Sequence, residues 1–413
     1  MNKNVLYLSY DGMTDPLGQS QVLPYLTGLC ARGFNISLIS FEKKEKFTVG
    51  KQVVENICDA AGIKWYPQQY TRSPQVLSTI KDLRTMRKVA KELHLLAPFN
   101  FVHCRSYIAA MTGLWMKEKF DLPFIFDMRG FWADERVDGG IWNLRNPLFN
   151  IVYKFFKKKE KAFLNQAAAV ISLTENARME IGSWPGVRPD INITVIPCCV
   201  DLDLFDPEAI QPSDVALKKE EMGLSDSQKI ITYIGSVGTW YLLDEMLMFF
   251  KQWRLYNPSS VFVFVTADEP NLIFERAALM GISSDQLRIK AAKRREVPLY
   301  IALGDYSLFF IKPAYSKKAS SPTKQGEIMA MGKPVICNTG VGDTDTVVKE
   351  YQSGYLVHKF DPESFIAVIR EMQGSEPDAT LIRQGAYAFF ALERGLEQYN
   401  KVYNDVLDNS SHS

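Results

Sequence analysis

Short runs of consecutive apolar residues alternate along this chain with longer stretches whose apolar positions recur at helical spacing. Val5-Leu6-Tyr7-Leu8 is the first run, and Gln21 to Arg32 is the first helical stretch, closing at Gly33. Glycine suits the left-handed conformation that often ends a helix. Ile36-Ser37-Leu38-Ile39-Ser40 reads as the next strand. Strand–helix–strand units of this kind build parallel sheets with crossover helices. The runs Phe99 to Val102, Phe124 to Asp127, Ala169 to Ser172 and Ile193 to Pro197 continue the series.

The pattern pauses from Cys198 to about Ser213, where Pro207, Pro212 and alternating Asp predict a linker. A second series follows. Ile230 to Gly235, Val261 to Val265, Tyr306 to Phe310 and Pro334 to Cys337 read as strands, and Leu242 to Tyr256 as a helix. The expected architecture is α/β, with two doubly wound parallel-sheet domains over residues 1–200 and 214–384 and a linker over 201–213. Ligands of such sheets bind beyond the carboxyl ends of the strands, so two domains predict a cleft between facing strand ends. Residues 385–408 carry Phe390, Leu396, Tyr399, Tyr403 and Leu407 at helical spacing. They predict a helix that caps the second domain or crosses back to the first. Residues 409–413 are expected to be a disordered tail.

Composition narrows the class. A chain of 413 residues exceeds the roughly 250–300 that one core supports. The 48 Lys and Arg against 47 Asp and Glu give a formal charge of +1, which speaks against nucleic acid as a partner. Six cysteines without a CxxC pair, and only four His, argue against a zinc site or a disulfide scaffold. No run approaches the roughly 20 apolar residues of a membrane-spanning helix, and the first apolar run is too short for a signal peptide. A cytoplasmic protein with reduced thiols is expected.

Four segments carry candidate chemistry. In Phe309 to Ile336 a strand is followed by a Ser/Lys loop and a helix beginning near Pro322. The first-turn N–H groups of Thr323, Lys324 and Gln325 then form a ready phosphate site, with Lys324 adding charge and Glu327 able to accept bonds from a ribose diol. A generic loop–helix–strand unit is the competing reading. The first strand–helix turn, Asp11 to Gln21, lacks the spacing of a dinucleotide fingerprint, but Gly18 allows close approach of a ligand and Gln19 and Ser20 supply neutral donors. A plain surface turn fits nearly as well. His103, Arg105, Asp127 and Arg129 follow strands and are expected to face the cleft, the arginines holding an anion. A Cys–His nucleophile from His103 and Cys104 is disfavoured, because adjacent strand residues point to opposite faces. Finally, residues 149–164 interleave five lysines with Phe, Tyr, Ile and Leu. Such a helix suits an anionic membrane surface, or packs its aromatic stripe into its own domain.

Pro322-Thr323-Lys324 through Glu327 to Ile336 resembles the nucleotide-sugar signature of family-four glycosyltransferases. Leu17-Gly18-Gln19-Ser20, Val195 to Asp201 with Phe205, Tyr233 to Ser236 and Thr339 to Asp343 match further motifs in the family's order. The resemblance implies the GT-B fold and retaining transfer of a sugar from a nucleotide-sugar donor, UDP-sugar favoured, with no metal or other cofactor. It places donor binding at Gly18, Gly235, Ser236, Lys318, Ser321, Thr323, Lys324 and Glu327. Catalysis is expected from Lys324 with Asp127 and Arg129 at the strand ends, and the acceptor side is expected at Gln19 and Ser20 of the resembling loop with His103 and Arg105. The expected acceptor is a growing glycan, free or lipid-linked, at the inner face of the cytoplasmic membrane. The chain departs from the family at Ala319, where a first glutamate is usual, and in Gly235 to Tyr241, which lacks the diphosphate-binding Arg and Lys. Those departures keep two alternatives in view, a non-catalytic nucleotide-sugar binder or partner subunit and a nucleotide-sugar epimerase.

Overall fold

The computed structural model describes residues 3–374 and 376–410. It divides into two compact units. Unit 1 holds the chain up to Pro197 together with the segment from Leu392 onward, and unit 2 holds Cys198–Ala391.

Unit 1 is built on seven parallel strands: β1 (Asn4–Ser9), β2 (Asn35–Glu42), β3 (Lys64–Gln69), β4 (Phe101–Arg105), β5 (Phe124–Asp127), β6 (Ala169–Ser172) and β7 (Ile193–Val195), in the order β3-β2-β1-β4-β5-β6-β7. The order reverses at β1, which pairs with both β2 and β4. Right-handed crossovers from that point put helices on opposite faces of the two halves. One face carries helices Leu23–Ala31 and Lys44–Ala61, and the other carries Gln75–Leu96, Ser106–Phe120 and Pro147–Gln166. The central strands are buried over nearly their whole length and mostly apolar, because both faces are covered. The edge strand β3, Lys-Trp-Tyr-Pro-Gln-Gln, is half-buried and polar, so no apolar run announces it.

Unit 2 has six parallel strands: β8 (Ile230–Ile234), β9 (Val261–Val265), β10 (Leu287–Lys290), β11 (Tyr306–Phe309), β12 (Val335–Asn338) and β13 (Gly354–Val357), in the order β10-β9-β8-β11-β12-β13. Its core is rich in aromatic rings, among them Phe249, Phe250, Phe262, Phe264, Phe310 and Phe365. The expected strands in both units are present, with ends differing by up to three residues. The strands that the apolar pattern missed, β3, β10 and β13, all lie at sheet edges.

The expected domain boundaries differ from the observed ones in three places. Residues 201–213 are part of unit 2 rather than a free linker: Phe205 is fully buried and Asp206 accepts a hydrogen bond from Arg383 at 2.7 Å. The single helix expected over 385–408 is two, Ala379–Phe390 in unit 2 and Leu392–Ser410 in unit 1, separated by extended Ala391. Asn409 and Ser410 continue the second helix, while 411–413 lie outside the described residues.

Helix Leu392–Ser410 packs on Leu23–Ala31 and sends two tyrosines into the sheet. Tyr399 donates to Asp127 Oδ2 at 2.9 Å, and the Tyr403 hydroxyl lies 2.9 Å from His103 Nδ1. Tyr7, in register with His103 on the neighbouring strand, stacks on its imidazole with ring centroids 4.4 Å apart. No described helix is long and apolar enough to cross a membrane.

Candidate functional site

In unit 2 the residues expected to bind a donor gather where β8 ends and helix Thr323–Ala330 begins. The chain leaves β8 through Gly235, whose φ of +116° is one that side-chain-bearing residues rarely adopt. A Cβ there would stand 3.1 Å from Lys324 Nζ. The glycine therefore both turns the backbone and leaves room for the amine. Lys324 lies in the first turn of the helix and runs inward, so that only 8% of the residue is exposed. Its Nζ donates to the Tyr233 hydroxyl at 3.2 Å and lies 3.5 Å from the ring centroid of Tyr241 and 4.3 Å from that of Tyr233. The Tyr233 hydroxyl in turn donates to the Ser236 carbonyl, which leaves its oxygen lone pairs for the lysine. Burial drives the Lys324 pKa well below the usual 10.5, with Glu327 opposing the shift.

Glu327, one turn further along the helix, is buried and ion-paired with Arg294 from the segment after β10. The Arg294 guanidinium lies 4.6 Å from the Phe205 ring centroid. The loop between β11 and this helix is pinned by Asn338, whose side chain accepts from Ile311 N–H at 2.8 Å and donates to the Ile311 carbonyl at 3.0 Å. The loop after β8 is held by Asp268, which accepts from Val237 N–H at 2.6 Å.

The other expected donor residues fall into three situations. Ser236 and Lys318 are exposed and Thr323 is half-buried, all within this region. The Ser321 hydroxyl accepts from Cys198 N–H at 3.1 Å, and so braces its own chain. The Gln325 N–H, expected to be free, donates to the Pro322 carbonyl. Of the adjacent Lys317 and Lys318, Lys317 is the buried one, with Nζ 3.6 Å from the Trp240 ring centroid, while Lys318 lies near Tyr315. Ala319, which replaces the family's first glutamate, is buried. Sequence reasoning missed the roles of Tyr233, Tyr241 and Arg294. The Lys-Arg-Arg run at 293–295 was the only signal for Arg294, and it follows a strand that the apolar pattern did not mark.

Unit 1 changes the roles expected of its candidates. Gly18 is required by its own turn: a Cβ there would meet the Gly12 carbonyl oxygen at 2.3 Å, so the glycine lets the turn close on itself. That turn is organised by a residue not singled out before. Buried Glu42 accepts from Met13 N–H at 2.8 Å, Thr14 N–H at 3.1 Å and the hydroxyls of Thr14 and Ser40 at 2.6 Å. Gln19 is exposed, and the Ser20 hydroxyl donates to the Pro16 carbonyl.

His103 and Asp127, expected to face a cleft, are both fully buried beneath the C-terminal helix. His103 and Asp127 Oδ2 join an internal network with Tyr399 and Tyr403, instead of standing open at the strand ends as expected. Burial lowers the His103 pKa, with Asp127 opposing. Burial works against the Asp127 charge, yet Arg129, His103 and Arg105 carry its pKa below the ordinary value. Arg129 lies 3.9 Å from Asp127, and buried Arg105 lies 3.4 Å from exposed Asp11. The arginines therefore meet carboxylates of their own unit.

The lysine-rich helix Pro147–Gln166 uses its faces differently. Lys157 points inward, pairing with Asp134 at 2.8 Å and Glu160 at 2.6 Å. Burial pushes the Glu160 carboxyl up to about 7 against the pull of Lys157. The outer face exposes Leu148 (54%), Ile151 (66%) and Phe155 (44%) beside Lys154, Lys158 and Lys161.

Comparison with known proteins agrees with this geometry. Residues 21–204 match the family described as Glycosyltransferase Family 4, and residues 214–388 match Glycosyl transferases group 1. A curated relative, N-acetyl-alpha-D-glucosaminyl L-malate synthase of Bacillus anthracis, is 22% identical over 225 residues, 54% of this chain and 56% of that protein. The match thus spans little more than half of the relative's length. Among solved structures, the sucrose-phosphate synthase of Thermosynechococcus elongatus superposes with a TM-score of 0.73 at 16% identity, covering 99% of this chain and 100% of that one. HepE of Anabaena, solved with UDP-glucose, superposes with a TM-score of 0.66 at 13% identity, over 99% and 100%. Two parallel-sheet α/β units in this order make the GT-B fold. With the two family matches lying in sequence over nearly the whole chain, the protein belongs to the family-four glycosyltransferases.

Proposed function

We propose that this chain moves a sugar from a nucleoside-diphosphate donor, UDP-sugar favoured, to a growing glycan, with retention of anomeric configuration and without a metal. The carrying observation is the first two turns of helix Thr323–Ala330, which place a buried amine at Lys324 and a buried carboxylate at Glu327. Helix N-termini favour phosphate, and a carboxylate one turn in can accept bonds from a ribose diol. Thr323 and the exposed Ser236 and Lys318 lie where they can add contacts to the donor. HepE, solved with UDP-glucose, supports the nucleotide class. The glycan is assigned to cell-surface polysaccharide, lipopolysaccharide or glycoprotein assembly.

The test is a thermal-shift series with UDP-, GDP-, CMP- and dTDP-sugars on the wild type and Glu327→Ala. A donor at about 100 times its Kd adds roughly 2.7 kcal/mol of apparent stability. UDP-sugars should raise the melting temperature of the wild type and lose most of that effect in the variant. No shift with any nucleotide would remove the reading. A shift without transfer to any acceptor would favour a non-catalytic binder, which the alanine at position 319 makes the second reading.

We also propose that the outer face of helix Pro147–Gln166 meets an anionic membrane at its cytoplasmic side and brings a lipid-linked acceptor within reach. Leu148, Ile151 and Phe155 recur at helical spacing and are exposed beside the exposed lysines 154, 158 and 161. Each Lys near such a surface contributes about 1 kcal/mol. The protein should co-sediment with phosphatidylglycerol vesicles and not with phosphatidylcholine vesicles, and added salt or Ile151→Ser with Phe155→Ser should release it. Equal recovery with both vesicle types would rule the surface out.

A further inference from the structure

Lys324 has an environment that an ammonium ion alone does not satisfy. Among the described residues no carboxylate forms an ion pair with it. Glu327 on its own helix is engaged by Arg294. From β8, Tyr233 offers one hydroxyl at 3.2 Å. From the following loop, Tyr241 offers a ring face at 3.5 Å, and from β11 Phe309 offers another at 6.0 Å. Both tyrosines are neutral, since burial raises the Tyr241 pKa to about 12 and that of Tyr233 well above 10. Asp268, near Tyr233, is committed to Val237 N–H. Cys198 lies near Tyr241.

Removing an ammonium from water costs several kcal/mol even after relaxation. The rings of Tyr233, Tyr241 and Phe309 and one neutral hydroxyl surround the amine, but none of them carries a negative charge, and the missing partner is an anion. Burial lowers the Lys324 pKa in the same direction.

We propose that the diphosphate of the donor brings Lys324 its charge: the amine is neutral in the empty site and takes one proton from solvent as the phosphates dock. This rests on the donor reading above. The balance is simple, because the amine nitrogen gains a proton from the buffer and no other bond changes. Binding is then linked to the uptake of one proton. Affinity falls as pH rises, by up to tenfold per pH unit between the pKa of the empty site and that of the loaded one.

Isothermal titration calorimetry with UDP and GDP as probes, in buffers of differing ionisation enthalpy at pH 7.5 and 8, reads the uptake directly. Both pH values lie above the second ionisation of a phosphate at about 6 and well below the ionisation of the uracil and guanine ring N–H groups, so the nucleotide's own protons contribute little. The wild type should take up close to one proton per nucleotide. Lys324→Arg, charged at every pH used, should bind with none. Lys324→Met, which carries no titrating group, should bind more weakly and also without uptake. Nucleotide binding by the wild type with no uptake overturns the inference and leaves the donor reading standing. Uptake that persists in either variant overturns it as well. Absence of wild-type binding to both nucleotides overturns the two together.

Discussion

Lys324→Met is expected to cut turnover by about a hundredfold to a thousandfold, while the melting temperature stays level or rises. Loss of one preorganised donor to a developing anion commonly costs about 3–4 kcal/mol of barrier. Here the developing anion is the departing diphosphate, and Lys324 is the buried cation nearest the helix end that would receive it. The folded protein does not need the amine. Tyr233 keeps its bond to the Ser236 carbonyl when the lysine is gone, and the aromatic walls formed by Tyr233, Tyr241 and Phe309 accept a thioether of similar length. Replacing a desolvated amine by an apolar chain in such a box is neutral or stabilising. Donor transfer or donor hydrolysis gives the rate, and thermal melting gives the stability. Parallel losses in both would mean that Lys324 serves the fold, and unchanged turnover would remove it from catalysis.

Asp127→Ala should destabilise unit 1 by about 3–5 kcal/mol, the range for breaking a buried charged contact on one side. Two groups lose their acceptor at once, the Tyr399 hydroxyl at 2.9 Å and His103 Nε2 at 3.4 Å, and the Arg129 guanidinium loses a carboxylate 3.9 Å away. The two units need not unfold together, so the sensitive reading is amide hydrogen exchange in helix Leu392–Ser410. Exchange there should accelerate while unit 2 stays protected. A change below about 1 kcal/mol would show that the network is dispensable.

The same network predicts a pH response. A carboxylate cannot donate, so His103 presents Nε2–H to Asp127 and accepts from the Tyr403 hydroxyl at Nδ1, which is the pattern of a neutral imidazole. Its folded pKa lies below the ordinary 6.5 because burial disfavours the cation. The unfolded chain therefore binds a proton that the folded chain does not. Stability is fully present above about 6.5 and declines as pH falls below it. Glu160 has the opposite sign. Its folded pKa is raised from 4.5 to about 7, so its contribution is present below 4.5 and is lost as pH rises through 7. Denaturation of wild type and His103→Gln between pH 5 and 8 separates the two, because only the His103 slope should vanish in the variant.

Much of the fold was legible because parallel strands covered on both faces are written as unbroken apolar runs, such as Val261 to Val265. The edge strands were not, since Lys64 to Gln69 needs to satisfy only one sheet neighbour and remains polar. The break at Ala391 was invisible because alanine is itself a strong helix former, and neither a glycine nor a proline stands at the break. At the site, Lys324 and Glu327 could be read because loop, proline and helix stand next to each other in sequence. Arg294 could not, as it reaches Glu327 across 33 residues with no local pattern to mark it. His103 and Asp127 were misplaced for a related reason. A polar residue ending a strand points toward a ligand unless something covers it, and here the cover arrives 300 and 272 residues later as Tyr403 and Tyr399.

That late arrival has a consequence during synthesis. Unit 2 is, in effect, inserted within unit 1, so the imidazole and carboxylate of β4 and β5 leave the ribosome long before the tyrosines that close over them. At about 5–20 residues per second, the 300 and 272 residues between them take roughly 14–60 s to make. Throughout that interval the nascent first unit carries an open slot lined by Tyr7, His103, Phe34 and Phe101, which a chaperone can occupy and which the chain's own end must finally reclaim.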